Sequence, residues 1–235
     1  MGRLFVVIPA LDEEESIGLV LAALPSQPAS HVIVVDNGSR DATAERAVAA
    51  GAELVDEPRR GYGRACLSGL DALRQHDPAP DDIVAFLDAD FSDDPSQLGE
   101  IVAPILEDRA DLVIGSRVLG EREPGALLIQ ARWGNWLATR LIRVITGVRF
   151  TDLGPFRACR WASFESLNME DDAFGWTVEM QLKAASSGLR CVEIPVRYRR
   201  RVGESKITGT LRGTVLASVT ILSILGKWLL GYRPR

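Results

Sequence analysis

The stretch Ile83-Val84-Ala85-Phe86-Leu87-Asp88-Ala89-Asp90 sets the architecture of this chain. Its first five residues are apolar, as expected for a short strand that is covered on both faces. Asp88 and Asp90 follow at the carboxyl end of that strand, the edge at which open α/β sheets bind ligands. Neighbouring carboxylates repel each other unless a positive charge lies between them, and a divalent cation on a diphosphate would supply that charge. Taken alone, the motif is equally compatible with a loop in which Asp93-Asp94-Pro95 caps the next helix.

Strand and helix patterns alternate on both sides of this stretch. Asp12, with Glu15 three residues later, has the spacing of a capping box and predicts the start of the first helix. The alternation predicts an α/β fold with a doubly wound, mostly parallel sheet. The other predicted strands of the first half are 4–8, 32–35, 52–55 and 112–114, and its other predicted helices are 43–50, 61–75 and one that begins at Pro95.

The second half is less regular. Residues 127–146 and 177–187 have helical patterns, and residues 151–160 are compatible with strand or loop. Cys191-Val192-Glu193-Ile194 predicts a strand, and Pro195 favours an edge position because proline cannot donate to a neighbouring strand. We expect one domain over residues 1–208 and a helical extension over residues 209–235.

The extension contains the chain's only membrane-like segment. Residues 213–226 carry no charge. As a helix they would span about 21 Å, which is short of the roughly 30 Å hydrocarbon core of a bilayer. Two placements stay open: a helix packed on the domain, or a helix at a membrane surface anchored by Lys227, Trp228 and Arg233.

Composition and charge narrow the class of protein. The 235 residues are 46% hydrophobic and 25% charged, which is ordinary for a globular protein. The three cysteines are widely separated, and Phe5–Ile8 is too short for a secretory signal, so we expect a cytoplasmic protein with reduced thiols. The formal net charge of −5 divides into +8 from Arg197 onward and −13 before it. This asymmetry indicates an anionic partner for the tail, whereas the acidic body argues against nucleic-acid binding.

Four segments should meet at the carboxyl edge of the sheet: 8–14, 36–39, 60–64 and 88–90. Asp36 can accept a hydrogen bond from a base or a ribose hydroxyl, and Gly61 and Gly63 permit close approach of the backbone to a ligand. Each segment by itself is also explained by turn and cap chemistry. Their common location at successive strand ends favours a ligand site. The Gly61 segment lacks the third small residue of a dinucleotide fingerprint and does not follow the first strand, so an oxidoreductase is disfavoured.

The ordered set of motifs closely resembles the inverting family-two glycosyltransferases of the GT-A fold. Within that family, the chain looks most like the polyprenyl-phosphate (dolichyl-phosphate) mannose and glucose synthases. The resemblance covers nearly the whole chain. Its motifs are Pro9-Ala10-Leu11-Asp12-Glu13-Glu14, Val34-Val35-Asp36-Asn37-Gly38-Ser39-Arg40-Asp41, Asp88-Ala89-Asp90, Gly115-Ser116-Arg117, Thr151-Asp152-Leu153-Gly154-Pro155-Phe156-Arg157 and Arg201-Val202-Gly203-Glu204-Ser205-Lys206.

The resemblance implies a role for individual residues. Asp90 would bind Mg²⁺ or Mn²⁺ on the donor diphosphate, and Ser92 stands where some relatives have a further metal ligand. Asp88 would face the ribose or the sugar. The residues implied in donor binding are Pro9, Ala10, Leu11, Glu13, Asp36, Gly38, Gly61, Gly63, Asp88, Ala89 and Ser205. Relatives commonly have Asn at position 12 and Tyr at position 11, so a stack on the nucleobase is lost here.

Arginines are the candidates for an acceptor phosphate. Arg117 and Arg132 suit bidentate phosphate contacts, with Asn135 as a neutral donor, although Arg132 also fits a solvated helix face. Arg201, Ser205 and Lys206 could close over the donor diphosphate, or could meet an anionic membrane.

The expected activity is metal-dependent transfer of a hexose, with inversion, from a nucleotide-diphosphate sugar to a polyprenyl phosphate. UDP-glucose is the preferred donor and GDP-mannose the next. One alternative is a hydroxyl acceptor with Glu179 as general base, and another is a non-catalytic nucleotide-sugar binder. The chain would then be peripheral at the inner face of the membrane, and a homo-oligomer is compatible with the sequence.

Overall fold

Seven strands form one sheet in the computed structural model, which describes residues 2–26, 31–203 and 211–230, with only the backbone for 211–217. The strands are β1 (Leu4–Ala10), β2 (His31–Asp36), β3 (Glu53–Asp56), β4 (Ile83–Phe86), β5 (Leu112–Ser116), β6 (Arg157–Arg160) and β7 (Cys191–Pro195). The helices are α1 (Ile17–Ala23), α2 (Thr43–Ala49), α3 (Tyr62–Arg74), α4 (Leu98–Leu106), α5 (Ile129–Thr146), α6 (Trp161–Ser166), α7 (Trp176–Ser186) and α8 (Leu211–Leu229).

The strand order is β3-β2-β1-β4-β6-β5-β7. All neighbouring pairs are parallel except those of β6, which runs antiparallel to β4 and to β5. The predicted α/β class with a mostly parallel sheet is confirmed. β7 lies at an end of the sheet, as its proline indicated.

Two hydrophobic cores cover the two faces of the sheet. In β1, Phe5 and Val7 enter one core while Val6 and Ile8 enter the other, because successive side chains of a strand point to opposite faces. Helices α3, α5, α6, α7 and α8 pack on the first face, and α1, α2 and α4 pack on the second. All seven residues of β1 are buried, which accounts for its unbroken apolar sequence.

The prediction that Asp12 caps the first helix is wrong. Helix α1 begins at Ile17, and Asp12 lies five residues earlier with φ +50°. Its carboxylate accepts from the backbone N–H of Arg40, and its own N–H donates to Ser39 Oγ. Asp12 therefore joins the loops after β1 and β2. Helix α6 was not predicted, since six residues are too few to show a helical period.

The C-terminal helix packs on the domain. Leu225 and Trp228 of α8 are buried in the first core, so Trp228 is not an exposed membrane anchor. Val219, Leu222 and Leu229 of the same helix are exposed. Among the described helices, we find none that combines the length and the apolar character needed to cross a bilayer.

Candidate functional site

A cavity of about 540 Å³ opens at the carboxyl edge of the sheet. The loops after β1 and β4, the start of α3 and the first turns of α5 form its walls, and Ile221 of α8 also contributes. Eleven of the predicted site residues line it: Pro9, Ala10, Leu11, Glu13, Gly61, Asp88, Ala89, Asp90, Arg117, Asn135 and Arg201. The convergence expected from the strand ends is therefore present in the fold.

The two carboxylates that follow β4 are held by different partners. Tyr62 Oη donates to Asp88 Oδ1 at 2.9 Å. Asp90 Oδ1 accepts from both the backbone N–H of Ser92, at 2.9 Å, and Ser92 Oγ, at 2.6 Å. Phe91 between them has φ +59°, so the chain turns sharply after Asp90. Asp88 and Asp90 both line the cavity.

The carboxylates of Glu13, Asp88 and Asp90 lie close enough to repel one another. Burial and the charge of Asp90 raise the pKa of Asp88 to about 7. Burial raises the pKa of Glu13 too, and Arg201 opposes that rise only in part. Asp93, which follows Ser92, is buried, and neither of its carboxylate oxygens has a hydrogen-bond partner among the described residues. Such an excess of negative charge fits a divalent cation with oxygen ligands.

Ser92 does not fit the predicted role of a metal ligand. It is buried, its hydroxyl is engaged with Asp90, and it is absent from the described lining of the cavity. Ser92 follows the turn at Phe91, where the loop leaves the described lining of the cavity. Ser92 is thus placed to orient Asp90.

Arg201 lies between two carboxylates at the cavity. Its guanidinium forms an ion pair with Glu13 and lies 3.5 Å from Asp90 Oδ2. The segment that carries it is anchored to the loop after β4, because Val202 N–H donates to the Asp90 carbonyl and Arg199 N–H to that of Ser92. Ser205 and Lys206, predicted for the same loop, lie outside the described residues.

Arg117 is held rigidly at the opposite wall. Its Nε and Nη2 each lie 2.8 Å from an oxygen of Asp152, and its backbone N–H donates to the same carboxylate at 2.7 Å. The guanidinium also lies over the ring of Tyr198, with 5.2 Å from Cζ to the centroid. The pair fixes a cation at the cavity wall, which is where an anionic substrate group requires it.

Gly61 and Gly63 also have a packing role, at the start of α3. A Cβ at Gly63 would lie 2.1 Å from the carbonyl oxygen of Asp171, and one at Gly61 would lie 2.3 Å from that of Asp172. The N–H groups of Gly63 and Arg64 donate to carbonyls of this same segment. The glycines therefore let the segment 171–173 pack against the start of α3, and among the described residues only Gly61 of the two reaches the cavity.

Asp36 and Gly38 lie beside the cavity and are not part of its described lining. Asp36 pairs with Ala10 across the β1–β2 ladder, and its Oδ1 accepts from Ser39 N–H at 3.2 Å. The neighbouring Asn37 does line the cavity, and its side chain bonds Gly61 N–H and the carbonyls of Glu57 and Arg59. Asp36 therefore makes the turn contact that was the alternative to ligand binding. Its contact with a donor stays a prediction.

Glu179 is engaged in structure. The carboxylate is buried, forms an ion pair with Lys183 at 2.9 Å and accepts from the N–H groups of Glu170 and Asp171. It is not among the described residues that line the cavity. These contacts do not support a general base at Glu179, and they hold the segment that packs against Gly61 and Gly63.

A second cavity, of about 740 Å³, adjoins the first. Leu127 and Asn135 line both, whereas Arg132 lines only the second among the described residues. Asn135 is itself committed: its amide nitrogen donates to the Thr151 carbonyl, and its oxygen accepts from Leu153 N–H. The sequence-predicted acceptor residues are therefore distributed around the junction of two cavities.

Sequence reasoning missed several lining residues. Tyr62 lies inside the quoted glycine motif, and a tyrosine between two glycines at a helix start is a usable signal. Asn37 was likewise hidden inside a predicted turn. Phe174, Thr177 and Tyr198 carry no local signal, since only long-range packing brings them to the cavity.

The comparisons with known proteins agree with this geometry. Residues 5–167 match Glycosyl transferase family 2. An uncharacterized glycosyltransferase of Mycobacterium tuberculosis is 38% identical over 223 residues, 94% of this chain and 96% of that protein. The undecaprenyl-phosphate mannosyltransferase of Micrococcus luteus is 31% identical over 242 residues, 96% of each chain.

A solved structure shows the same fold. It is glucosyl-3-phosphoglycerate synthase from Mycobacterium tuberculosis in complex with Mn²⁺, UDP-glucose and phosphoglyceric acid. The TM-score is 0.71 at 22% identity, with 96% of this chain and 80% of that chain covered. The family match covers residues 5–167, which is more than half of the sequence. The chain is therefore a nucleotide-sugar glycosyltransferase of family 2.

Proposed function

We propose that this glycosyltransferase transfers a hexose from a nucleotide-diphosphate sugar to a polyprenyl phosphate. The observation that carries the proposal is the second cavity, which adjoins the acidic one and has an opposite character. Among its described lining residues there are five arginines and no acid: Arg122, Arg132, Arg140, Arg143 and Arg149. Trp133, Trp136 and Ile129 supply apolar surface in the same walls. A substrate with an anionic head and a hydrocarbon chain matches this combination.

The exposed face of α5 supports a lipid acceptor. Ile129, Trp133 and Val144 are 69%, 66% and 71% exposed, and Trp136 is 52% exposed. Large apolar side chains beside arginines are typical of a helix that lies in a membrane interface. We therefore place α5 against an anionic bilayer surface, with the acceptor entering the second cavity from that side.

The printed name of the Micrococcus luteus relative points to the same acceptor class, because that protein acts on undecaprenyl phosphate. The same name indicates mannose. We accordingly propose a hexosyl donor, and GDP-mannose and UDP-glucose are the two to test.

In the proposed reaction, Asp90 would hold Mg²⁺ or Mn²⁺ on the donor diphosphate, and Asp88 would face the ribose or the sugar. When bound, that ion would neutralise the charge of the leaving diphosphate. Arg201, now paired with Glu13 and Asp90, is within reach of the same group. Arg117, fixed by Asp152, would orient the acceptor phosphate.

The bond changes are simple. An oxygen of the acceptor phosphate bonds to the anomeric carbon. The bond from that carbon to the donor diphosphate breaks, and its electron pair leaves on the diphosphate oxygen. Attack opposite the leaving group inverts the anomeric configuration. The attacking phosphate is already an anion, so the reaction requires no general base, in agreement with the engaged carboxylate of Glu179.

The test is transfer of labelled sugar from each donor to a short polyprenyl phosphate with Mn²⁺. A lipid-linked product with at least one donor is expected, and none with either donor would overturn the proposal. Asp90→Asn should abolish turnover, while Asp71→Asn, on the exposed side of α3, should not change it. Donor binding by calorimetry without any transfer would instead indicate a non-catalytic binder.

The acceptor assignment has its own test. Arg132→Ala should raise KM for the polyprenyl phosphate and leave donor binding unchanged, whereas Arg109→Ala, an exposed pair partner of Glu107, should alter neither. Glu179→Gln should retain transfer to the lipid phosphate when equal amounts of folded protein are compared. Transfer to a sugar hydroxyl, lost in Glu179→Gln, would favour the alternative acceptor.

A further inference from the structure

Both histidines of the chain meet one carboxylate at the edge of the sheet opposite the cavity that Asp88 and Asp90 line, here called the donor cavity. His31 is the first residue of β2, Glu53 is the first residue of β3, and His76 follows the end of α3. The donor cavity lies at the other ends of these strands, roughly 16 Å away along the six residues of β2. The cluster is therefore separate from the glycosyltransferase site.

The ligand atoms converge on a small volume. Nε2 of His31 lies 3.0 Å from Glu53 Oε2, and Nε2 of His76 lies 2.8 Å from that same oxygen. The three ligand atoms all lie within 4.8 Å of one another. Tetrahedral Zn²⁺ with bonds of about 2.0–2.1 Å separates its ligand atoms by roughly 3.3 Å. The two distances from imidazole nitrogen to carboxylate oxygen, 3.0 and 2.8 Å, are already close to that separation.

The surroundings orient the two imidazoles. Their ring centroids lie 4.1 Å apart, and the ring of Phe5 packs against both, at 5.8 and 6.0 Å. Arg3 Nη1 donates to the carbonyl of His76 while Arg3 Nη2 pairs with Asp82 at 2.9 Å, so its charge is compensated away from the cluster. Packing thus sets the ring positions before any ion binds.

The cluster is also accessible. The side chains of His31, Glu53 and His76 are 38%, 35% and 29% exposed. An ion can enter from solvent, and three protein ligands leave a fourth position for water. Two imidazoles and one carboxylate are a ligand set that suits zinc and neighbouring transition metals.

The geometry points to a transition-metal site formed by His31, Glu53 and His76, with Zn²⁺ as the ion that this ligand set and a tetrahedral arrangement favour. The bound ion would tie the starts of β2 and β3 to the end of α3. It would act on stability, since an ion that binds only the folded chain shifts the unfolding equilibrium.

The test uses the full chain without a histidine tag, stripped of metal by a chelator. Zn²⁺ at about 100 times its Kd should raise Tm by roughly 5–10 °C. His76→Gln and His31→Gln should abolish that rise and retain Mn²⁺-dependent transferase activity, whereas Asp90→Asn should keep the rise. A rise that persists in both histidine variants, or that disappears in Asp90→Asn, would overturn the site.

A second measurement needs no variant. Diethyl pyrocarbonate modifies imidazole nitrogens, and the chain has only two histidines, so the ultraviolet absorbance of carbethoxylated histidine reports this cluster alone. Zn²⁺ should protect both histidines from the reagent in the wild-type protein, and Mg²⁺ should not. Equal modification with and without Zn²⁺ would refute the proposal even where a variant fails to fold.

Discussion

Arg117 and Asp152 form a buried ion pair at the wall of the cavity that Asp88 and Asp90 line, with Nη2 and Oδ1 separated by 2.8 Å. The Asp152 side chain is fully buried, and that of Arg117 is 13% exposed. Removing one partner leaves a buried charge without compensation, which typically costs about 3–5 kcal/mol. Arg117→Ala and Asp152→Ala should each lower the free energy of unfolding by about that amount.

The double variant Arg117→Ala/Asp152→Ala should lose much less than the sum of the single losses, since neither charge is then left alone. Urea unfolding measures all three values. The control is Arg74→Ala, whose exposed pair with Glu165 should contribute less than about 1 kcal/mol. Strict additivity of the Arg117 and Asp152 losses would contradict the coupling.

Gly63→Ala should destabilise the start of α3. The added Cβ would lie 2.1 Å from the Asp171 carbonyl oxygen, so the segment that caps this helix must move. Overpacking of this kind costs about 1–3 kcal/mol. The matched control is Gly99→Ala in α4, where a Cβ meets nothing within 4 Å. This substitution should raise the free energy of unfolding by about 0.5–1 kcal/mol through helix propensity. Urea unfolding measures both changes. A gain of stability in Gly63→Ala as well would show that the Asp171 carbonyl does not restrict the size of the side chain at position 63.

Trp133→Ala/Trp136→Ala should weaken binding to anionic vesicles by about tenfold, because partial burial of two indoles in the interface is worth more than about 1.4 kcal/mol. The unfolding free energy should change little, since both rings are exposed. Val48→Ala, an exposed apolar residue of α2 on the other face of the sheet, is the control. Vesicle flotation measures binding, and equal flotation of all variants would contradict a membrane role for α5.

Asp82 should make stability depend on pH. Burial raises the pKa of Asp82, but hydrogen bonds from Ala79 N–H and from Arg3 outweigh it, so the pKa lies below its ordinary value. The charged form therefore stabilises the fold above the unfolded pKa of about 3.9, and this contribution is lost as pH falls through the folded pKa.

Asp82→Asn should consequently cost about 1–3 kcal/mol at pH 7 and progressively less below about pH 4. Urea unfolding at pH 7, 5 and 3 measures the difference from the wild type. Asp81→Asn, at the exposed neighbouring position, should stay within about 0.5 kcal/mol throughout. A loss in Asp82→Asn that is independent of pH would assign the effect to shape and not to charge.

The sheet was readable from the sequence because each strand end carries its own signal. Apolar runs that end at Ile8, Val35 and Leu87 predict strands whose carboxyl ends share one edge, and the structure places those ends together. The direction of β6 was not readable, since its four residues, Arg157–Arg160, carry no local signal of whether a strand runs parallel or antiparallel to its neighbours.

The site was predicted in part for the same reason. Asp88 and Asp90 follow a strand directly, so their position is local information. Asp12, Ser92 and Glu179 carry plausible patterns as well, but the hydrogen bonds and the ion pair that they form give them structural roles. Sequence spacing cannot separate these cases, because it does not show which hydrogen bonds a carboxylate or hydroxyl has already made.

The sequence by itself determined the α/β fold, the carboxyl edge as the place of the site and the pair Asp88 and Asp90, since strand periodicity and strand ends are local properties. Only the tertiary structure decided that Gly63 receives the segment 171–173, that Arg117 is held by Asp152, and that His31, Glu53 and His76 meet. Each of these joins residues from distant parts of the chain, and only the packing of helices on the sheet sets the distance between them.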